Sequence, residues 1–256
     1  MRDSIGSERR PFTPWLLRNA PKPDAEMRLF CLPYAGGSAT IYHRWQTLLP
    51  ASIDVCPIEL PGRLSRLRES AFHELNSLVA ALDHNLSTCF DRPFALFGYS
   101  MGGLIAFEWA REISRRRGRE PAHLFVGACG APDLERKRFS IEELSDMELA
   151  KKIIDLYGPR LEMVLGDYEL RGLILGVMRN DLRMLDRYSF VRREPLRVPL
   201  TVLGGTRDES ATRERLQQWT RHTSEACDVY AFPGDHFFIH THERAVVELV
   251  KGVLEA

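Results

Sequence analysis

A chain of 256 residues is long enough for one α/β-sized core with an insertion, and its 35 basic and 35 acidic side chains cancel. That balance gives no electrostatic reason to expect a nucleic acid or a membrane surface as partner. Five scattered cysteines without a C-x-x-C, and no apolar run of membrane-spanning length, argue against a disulfide framework, a zinc site of that kind and a transmembrane helix.

Residues 1–26 carry Pro11, Pro14, Pro21 and Pro23 among charged side chains and are expected to form a surface-hugging or partly mobile arm. Arg2, Arg9 and Arg10 are not followed by an apolar stretch, so no secretory leader is expected, and a reduced cytoplasmic setting is. Short apolar runs and helical patterns then alternate. Strands are predicted over Met27–Leu32, Ile53–Ile58, Phe94–Phe97, Leu124–Ala128, Leu200–Leu203 and Asp228–Phe232. Helices are predicted over Leu75–Leu86, Leu104–Arg117 and Glu243–Leu254. Arg115-Arg116-Arg117 before Gly118 reads as the cationic end of a helix and its glycine cap. Cys31 and Cys129 lie in apolar runs and are expected to be buried small hydrophobes. Strand–helix alternation of this kind predicts an α/β fold, a mostly parallel sheet flanked by helices.

Residues 134–188 break the alternation with helical patterns alone. Ser140 with Glu143 and Ser145 with Glu148 each fit a capping box. Asp167 is placed to cap a later helix, and Gly158-Pro159 separates the two pieces. The chain therefore divides into an arm (1–26), a core (27–133 and 189–256) and a helical insertion (134–188), expected to act as a lid over the strand ends. Met147, Met163, Met178 and Met184 fall in this insertion and suit an adaptable apolar channel.

Gly98-Tyr99-Ser100-Met101-Gly102 stands between a predicted strand and a predicted helix, the context of the nucleophile elbow of α/β-hydrolases. A serine on so tight a turn needs neighbours without a Cβ two places either side. Its hydroxyl needs a base, and the base an orienting acid, in the chain order Ser, Asp or Glu, His. Of the downstream histidines, His236 follows the last predicted strand directly, while His123 precedes a strand, at the wrong end. The spacing His236-x3-His240-x-His242 brings no accompanying ligand set, so no metal site is expected. Asp208 and Asp133 each follow a strand and satisfy the order; Asp235 adjoins His236 too closely in sequence to pair well with it. Two backbone donors should form an oxyanion hole: Met101 after the nucleophile, and Ala35 in the loop Pro33-Tyr34-Ala35-Gly36-Gly37-Ser38.

Five segments occur in order: Leu32-Pro33-Tyr34-Ala35-Gly36-Gly37-Ser38, Glu59-Leu60-Pro61-Gly62-Arg63, Gly98-Tyr99-Ser100-Met101-Gly102-Gly103, Leu203-Gly204-Gly205-Thr206-Arg207-Asp208 and Gly234-Asp235-His236-Phe237-Phe238. Together they resemble the type II thioesterases of nonribosomal peptide and polyketide synthases, over roughly residues 27–254. The resemblance implies an α/β-hydrolase fold with a helical lid and a triad of Ser100, Asp208 and His236, with oxyanion donors at Ala35 and Met101. It implies hydrolysis of acyl groups from the phosphopantetheine arm of acyl or peptidyl carrier proteins, removing aberrant or stalled units of the kind met in antibiotic biosynthesis. No cofactor of the enzyme's own is implied, nor more than a monomer. A carboxylesterase, lipase or acyltransferase on the same scaffold is the alternative. Arg63, Arg66 and Arg68 are either contacts for the arm's phosphate or an acidic carrier, or a solvated loop. Two positions depart from the family pattern: Leu64 where Pro-Gly-Arg-Gly is usual, and Gly176 where proline is expected before Met178-Arg179-Asn180-Asp181.

Overall fold

The computed structural model describes residues 13–17, 22–135, 138–157 and 168–256. Its six-stranded sheet contains β1 (Met27–Leu32), β2 (Ile53–Pro57), β3 (Phe94–Tyr99), β4 (His123–Gly127), β5 (Leu200–Gly205) and β6 (Cys227–Phe232). They lie in the order β2-β1-β3-β4-β5-β6 with every neighbouring pair parallel. Helices α1 (Trp45–Leu48), α2 (Leu75–Leu86), α3 (Met101–Arg117), α4 (Asp146–Tyr157), α5 (Tyr168–Arg187), α6 (Arg213–Gln217), α7 (Phe238–Thr241) and α8 (Glu243–Leu254) surround or extend it. With helices on both faces, the sheet's strands are apolar on both, and the alternation sorts side chains between two cores. Phe30, Leu32 and Leu96 pack with Leu82, Leu104 and Trp109 from α2 and α3. Leu29, Ala95 and Phe97 face the other way, against Trp45, Val246 and Val250.

The order of strands fixes where a ligand can bind. From β1 the chain moves outward to β2, then returns across β1 to β3 and proceeds to the opposite edge. The loops leaving β1 and β3 therefore diverge and leave a crevice at the strand C-termini, where open α/β sheets take their ligands. Residues 33–38 and the turn at Ser100 flank that crevice. Because all strands are parallel, the loops after β5 and β6 open on the same edge.

Part of the N-terminal arm is anchored. Leu16 forms an antiparallel bridge with Ile58, Leu17 N donates to Pro57 O at 2.9 Å, and Glu59 N donates to Trp15 O at 2.9 Å. Trp15 is buried beneath the Arg66 guanidinium, whose carbon lies 4.1 Å from the ring centre. These bonds occupy backbone groups at the edge of the sheet that would otherwise lie open.

Between β4 and β5 the described residues hold helices and no strand. Ile141, Leu149, Ile153, Leu175, Met178 and Leu182 give α4 and α5 a small core of their own, against which Ala35 packs. The Ser145–Glu148 capping box forms, with reciprocal bonds of 2.8 and 3.3 Å to the two backbone N–H groups. The one expected at Ser140 and Glu143 does not. Ser140 is left-handed, and the Asp186 carboxylate of α5 takes the Phe139 and Ser140 N–H groups instead. Asp167, Gly158-Pro159 and Met163 lie outside the described residues. The other methionines do not line one channel: Met147 is exposed, Met184 joins the main core and Met178 packs toward residue 36. The basic triplet closes α3, with Arg115 and Arg116 on Glu112, Arg117 on Asp83 and Gly118 at φ +58°.

Candidate active site

β3 runs two residues further than its apolar stretch suggests, through Gly98 and Tyr99, and α3 begins at once with Met101. Ser100 bridges them at φ +53° and ψ −115°, a conformation that costs an L-residue strain. The glycines on either side make it attainable. A Cβ on Gly98 would stand 2.1 Å from Gly102 O, and one on Gly102 would stand 2.3 Å from Leu32 O. The turn thus lifts Ser100 clear of the sheet and seats it against the end of β1.

His236 stands across from it. Its Nε2 lies 3.0 Å from Ser100 Oγ, and its Nδ1 lies 2.8 Å from Asp208 Oδ2. An ionised carboxylate only accepts, so Nδ1 carries the proton and Nε2 is left to accept from the serine hydroxyl. The loops after β5 and β6 are knitted together to hold this distance. Thr206 N donates to Phe232 O and Arg207 N to Gly234 O, both at 2.8 Å. A Cβ on Gly205 would stand 2.4 Å from Asp235 O, so only glycine lets the two loops close. Asp235 turns away and caps its own loop, its Oδ1 accepting from Phe237 N at 2.9 Å.

Asp208 Oδ1 accepts from Ser210 N at 2.9 Å, Ser210 Oγ at 2.6 Å and Ala211 N at 3.2 Å. Burial opposes charge on this carboxylate, but the bonds from His236 and Ser210 outweigh it and hold its pKa below the ordinary value. Asp208 is therefore the anion beside His236. Asp133 lies elsewhere, with His222 Nε2 at 2.9 Å and Arg221 at 3.0 Å. His123 sits at the start of β4, its Nε2 2.8 Å from Thr201 Oγ1, and burial pushes its pKa down to about 4. His240 Nε2 is 3.0 Å from the Tyr34 hydroxyl. Among the described residues no group of three His, Cys, Asp or Glu side chains converges as a metal set.

Ala35 and Met101 occupy the two loops flanking the crevice. Among the described residues no backbone carbonyl accepts from either N–H. Gly36 N and Gly37 N are engaged, by Asp181 Oδ2 at 2.8 Å and Tyr34 O at 2.9 Å. This leaves Ala35 as the donor that the loop can offer to a substrate oxygen, with Met101 N at the head of α3 as the second.

Several residues around the site had escaped a sequence reading. Tyr99 donates its buried hydroxyl to His236 O at 2.6 Å. Ser210 was invisible because its role arises from a turn two residues beyond Asp208. Arg63 and Arg66 carry structural bonds: Arg63 is buried on Asp181 and Gly37 O, and Arg66 on Glu59 O and Glu69. Both are buried and engaged, so for these two neither alternative holds, a contact for phosphate or carrier protein or a solvated loop; Arg68 is exposed. Polar spacing alone could not separate the three.

Residues 27–254 match the thioesterase domain family. Linear gramicidin dehydrogenase LgrE of Brevibacillus parabrevis is 35% identical over 244 residues, spanning 94% of this chain and 93% of that protein. The crystal structure of ClbQ from the colibactin NRPS/PKS pathway superposes with a TM-score of 0.85 at 29% identity, covering 90% of this chain and 98% of ClbQ. BorB, a type II thioesterase from the borrelidin biosynthetic cluster, superposes at 0.82 with 31% identity, covering 92% of this chain and 96% of BorB.

Proposed function

The chain belongs to the thioesterase family, and we propose that Ser100, His236 and Asp208 hydrolyse acyl thioesters borne on the phosphopantetheine arm of a carrier protein. The observation that carries this reading is the placement of His236, within hydrogen-bond reach of Ser100 on one side and of an anionic Asp208 on the other. ClbQ belongs to an NRPS/PKS pathway and BorB is a type II thioesterase of a biosynthetic cluster, settings that support a substrate carried on such an arm.

The chemistry follows from the geometry. His236 Nε2 takes the Ser100 proton as Oγ attacks the thioester carbonyl, and Asp208 stabilises the imidazolium that forms. The Ala35 and Met101 N–H groups receive the developing oxyanion, an interaction worth about 2.7–4 kcal/mol per donor. The sulfur leaves as a thiol, and water activated by His236 then cleaves the acyl-serine ester. A thiolate leaves readily, so proton delivery to it matters less than in amide cleavage. The helices between β4 and β5 act as a lid that would cover the acyl group.

The dehydrogenase name of LgrE does not transfer. A dinucleotide cradle requires G-x-G-x-x-G running from the first strand into a helix. Here β1 leads into Pro33-Tyr34-Ala35-Gly36-Gly37-Ser38 and a 3₁₀ turn at Ala39–Tyr42. Turnover of acyl-carrier protein and acyl-pantetheine, measured beside matched oxygen esters, tests the proposal. A clear preference for thioesters is expected; a preference for oxygen esters overturns it.

A further inference from the structure

One face of α5 grips the oxyanion loop at a single residue. Asp181 Oδ2 accepts from Gly36 N at 2.8 Å, and Met178, one turn earlier, packs so closely that a Cβ on Gly36 would stand 2.2 Å from its sulfur. Arg63 completes the arrangement. Its Nη2 donates to Asp181 Oδ1 at 2.6 Å, while Nη1 donates to Asp181 Oδ2 at 3.1 Å and to Gly37 O at 2.7 Å. Both charged side chains are buried, each at 5% exposure, so the pair is shielded from screening by solvent. Gly36 and Gly37 are thus fixed from both sides, by a carboxylate on the N–H of one and a guanidinium on the carbonyl of the next. Ala35 immediately precedes them and packs on the core shared by α4 and α5.

We propose that Asp181 and Arg63 are positioning residues that set the Ala35 N–H toward the reacting oxygen, so that an assembled oxyanion hole depends on α5 being seated. The inference rests on the serine-hydrolase reading of the site. The physical reason is geometric: an oxyanion donor works only when preorganised at about 2.7–3.1 Å from where charge develops. The Ala35 N–H lies on the peptide between Tyr34 and Ala35, whose carbonyl accepts from Gly37 N at 2.9 Å; that bond persists because Asp181 holds Gly36 N and Arg63 holds Gly37 O. Weakening the Asp181 contact loosens the turn that holds this peptide, without touching Ser100, His236 or Asp208.

The test uses the full chain with Asp181→Asn, which keeps the side-chain volume but removes the charge and one acceptor. Three quantities are measured: kcat and KM on an acyl-pantetheine thioester, inhibition by an alkylboronic acid, and the rate at which a fluorophosphonate labels Ser100. The boronate adduct and the labelling transition state both place an oxygen in the oxyanion hole. Expected are a kcat lower by at least about tenfold, bounded by the roughly 10²–10³-fold cost of deleting a donor, and a KM within about twofold. Boronate inhibition and labelling should weaken by the same factor as kcat. An unchanged kcat in the folded variant overturns the proposal, as does a loss carried wholly by KM with boronate inhibition intact. Should Asp181→Asn fail to fold, Arg63→Lys, which retains a buried cation but loses the fork, is held to the same split. If the wild-type chain labels at Ser100 yet ignores thioesters, the substrate reading fails, while the difference in labelling rate still decides the role of Asp181.

Discussion

The hydroxyl of Tyr99 donates to the main-chain carbonyl of His236 at 2.6 Å, joining the residue before Ser100 to the histidine that faces the Ser100 hydroxyl. The ring itself packs on β4, where a Cβ on Gly127 would stand 2.6 Å from it. Strand β3 therefore positions both partners of the serine–histidine bond, one through the turn and one through a side chain.

Tyr99→Phe keeps the ring and removes the donor, leaving the His236 carbonyl without that bond. The expected results are a loss of about 1–3 kcal/mol in stability and a kcat lower by about tenfold, with KM little changed. Thermal melts and steady-state kinetics check both; wild-type kcat would show that the loop after β6 holds His236 unaided.

Asp208→Asn and Asp133→Asn should separate cleanly. The first is expected to lower kcat by about 10⁴, the scale for losing the acid that sets the histidine tautomer. The second should leave turnover near wild type and cost about 1–3 kcal/mol of stability, because Asp133 holds His222 and Arg221. Parallel assays of hydrolysis and unfolding decide the matter, and a large kinetic loss in Asp133→Asn would reverse the assignment.

Glu59 makes stability depend on pH. Burial pushes its pKa up to about 7, against the pull of Arg63 and Arg66. Between its ordinary value of 4.5 and about 7 the folded chain keeps a proton that the unfolded chain has released. The Glu59 contribution to stability is therefore full below that window, falls as pH rises through it, and is lost above about 7. Glu59→Gln should remove this slope and gain up to about 3 kcal/mol over wild type by pH 8. Denaturant titrations at pH 4.5, 6 and 8 measure it; parallel slopes for the two proteins would contradict it.

Leu64 occupies φ +41° with its side chain 57% exposed. Glycine would adopt this backbone without the clash a Cβ brings. Leu64→Gly relieves about 1–2 kcal/mol of left-handed strain, offset in part by glycine's greater freedom in the unfolded chain. A net gain of about 0.5–1 kcal/mol in denaturant unfolding is expected, with activity retained.

Much of this was legible in the chain. Short apolar runs located all six strands of the sheet, with ends displaced by two residues at most. The helix Leu75–Leu86 and the last helix, Glu243–Leu254, fall where spacing predicted them. Glycine spacing around Ser100 was readable because a strained turn tolerates no Cβ at those places. The failures have physical causes too. The Ser140 capping box was lost to Asp186, a competitor from a distant helix, and Arg63 and Arg66 were indistinguishable from solvated arginines until their partners came into view.

The sequence by itself determined the strand–turn–helix around Ser100 and the family, since both depend on local steric demands and on motifs that survive as contiguous residues. Only the tertiary structure decided between Asp208 and Asp133. Both follow strands, and parallel strands deliver both to the same sheet edge, so distance along the chain carries no information about which carboxylate meets His236. That choice rests on 2.8 Å between loops that close over Gly205, and the engagement of Gly36 by Asp181, 145 positions away, has the same origin.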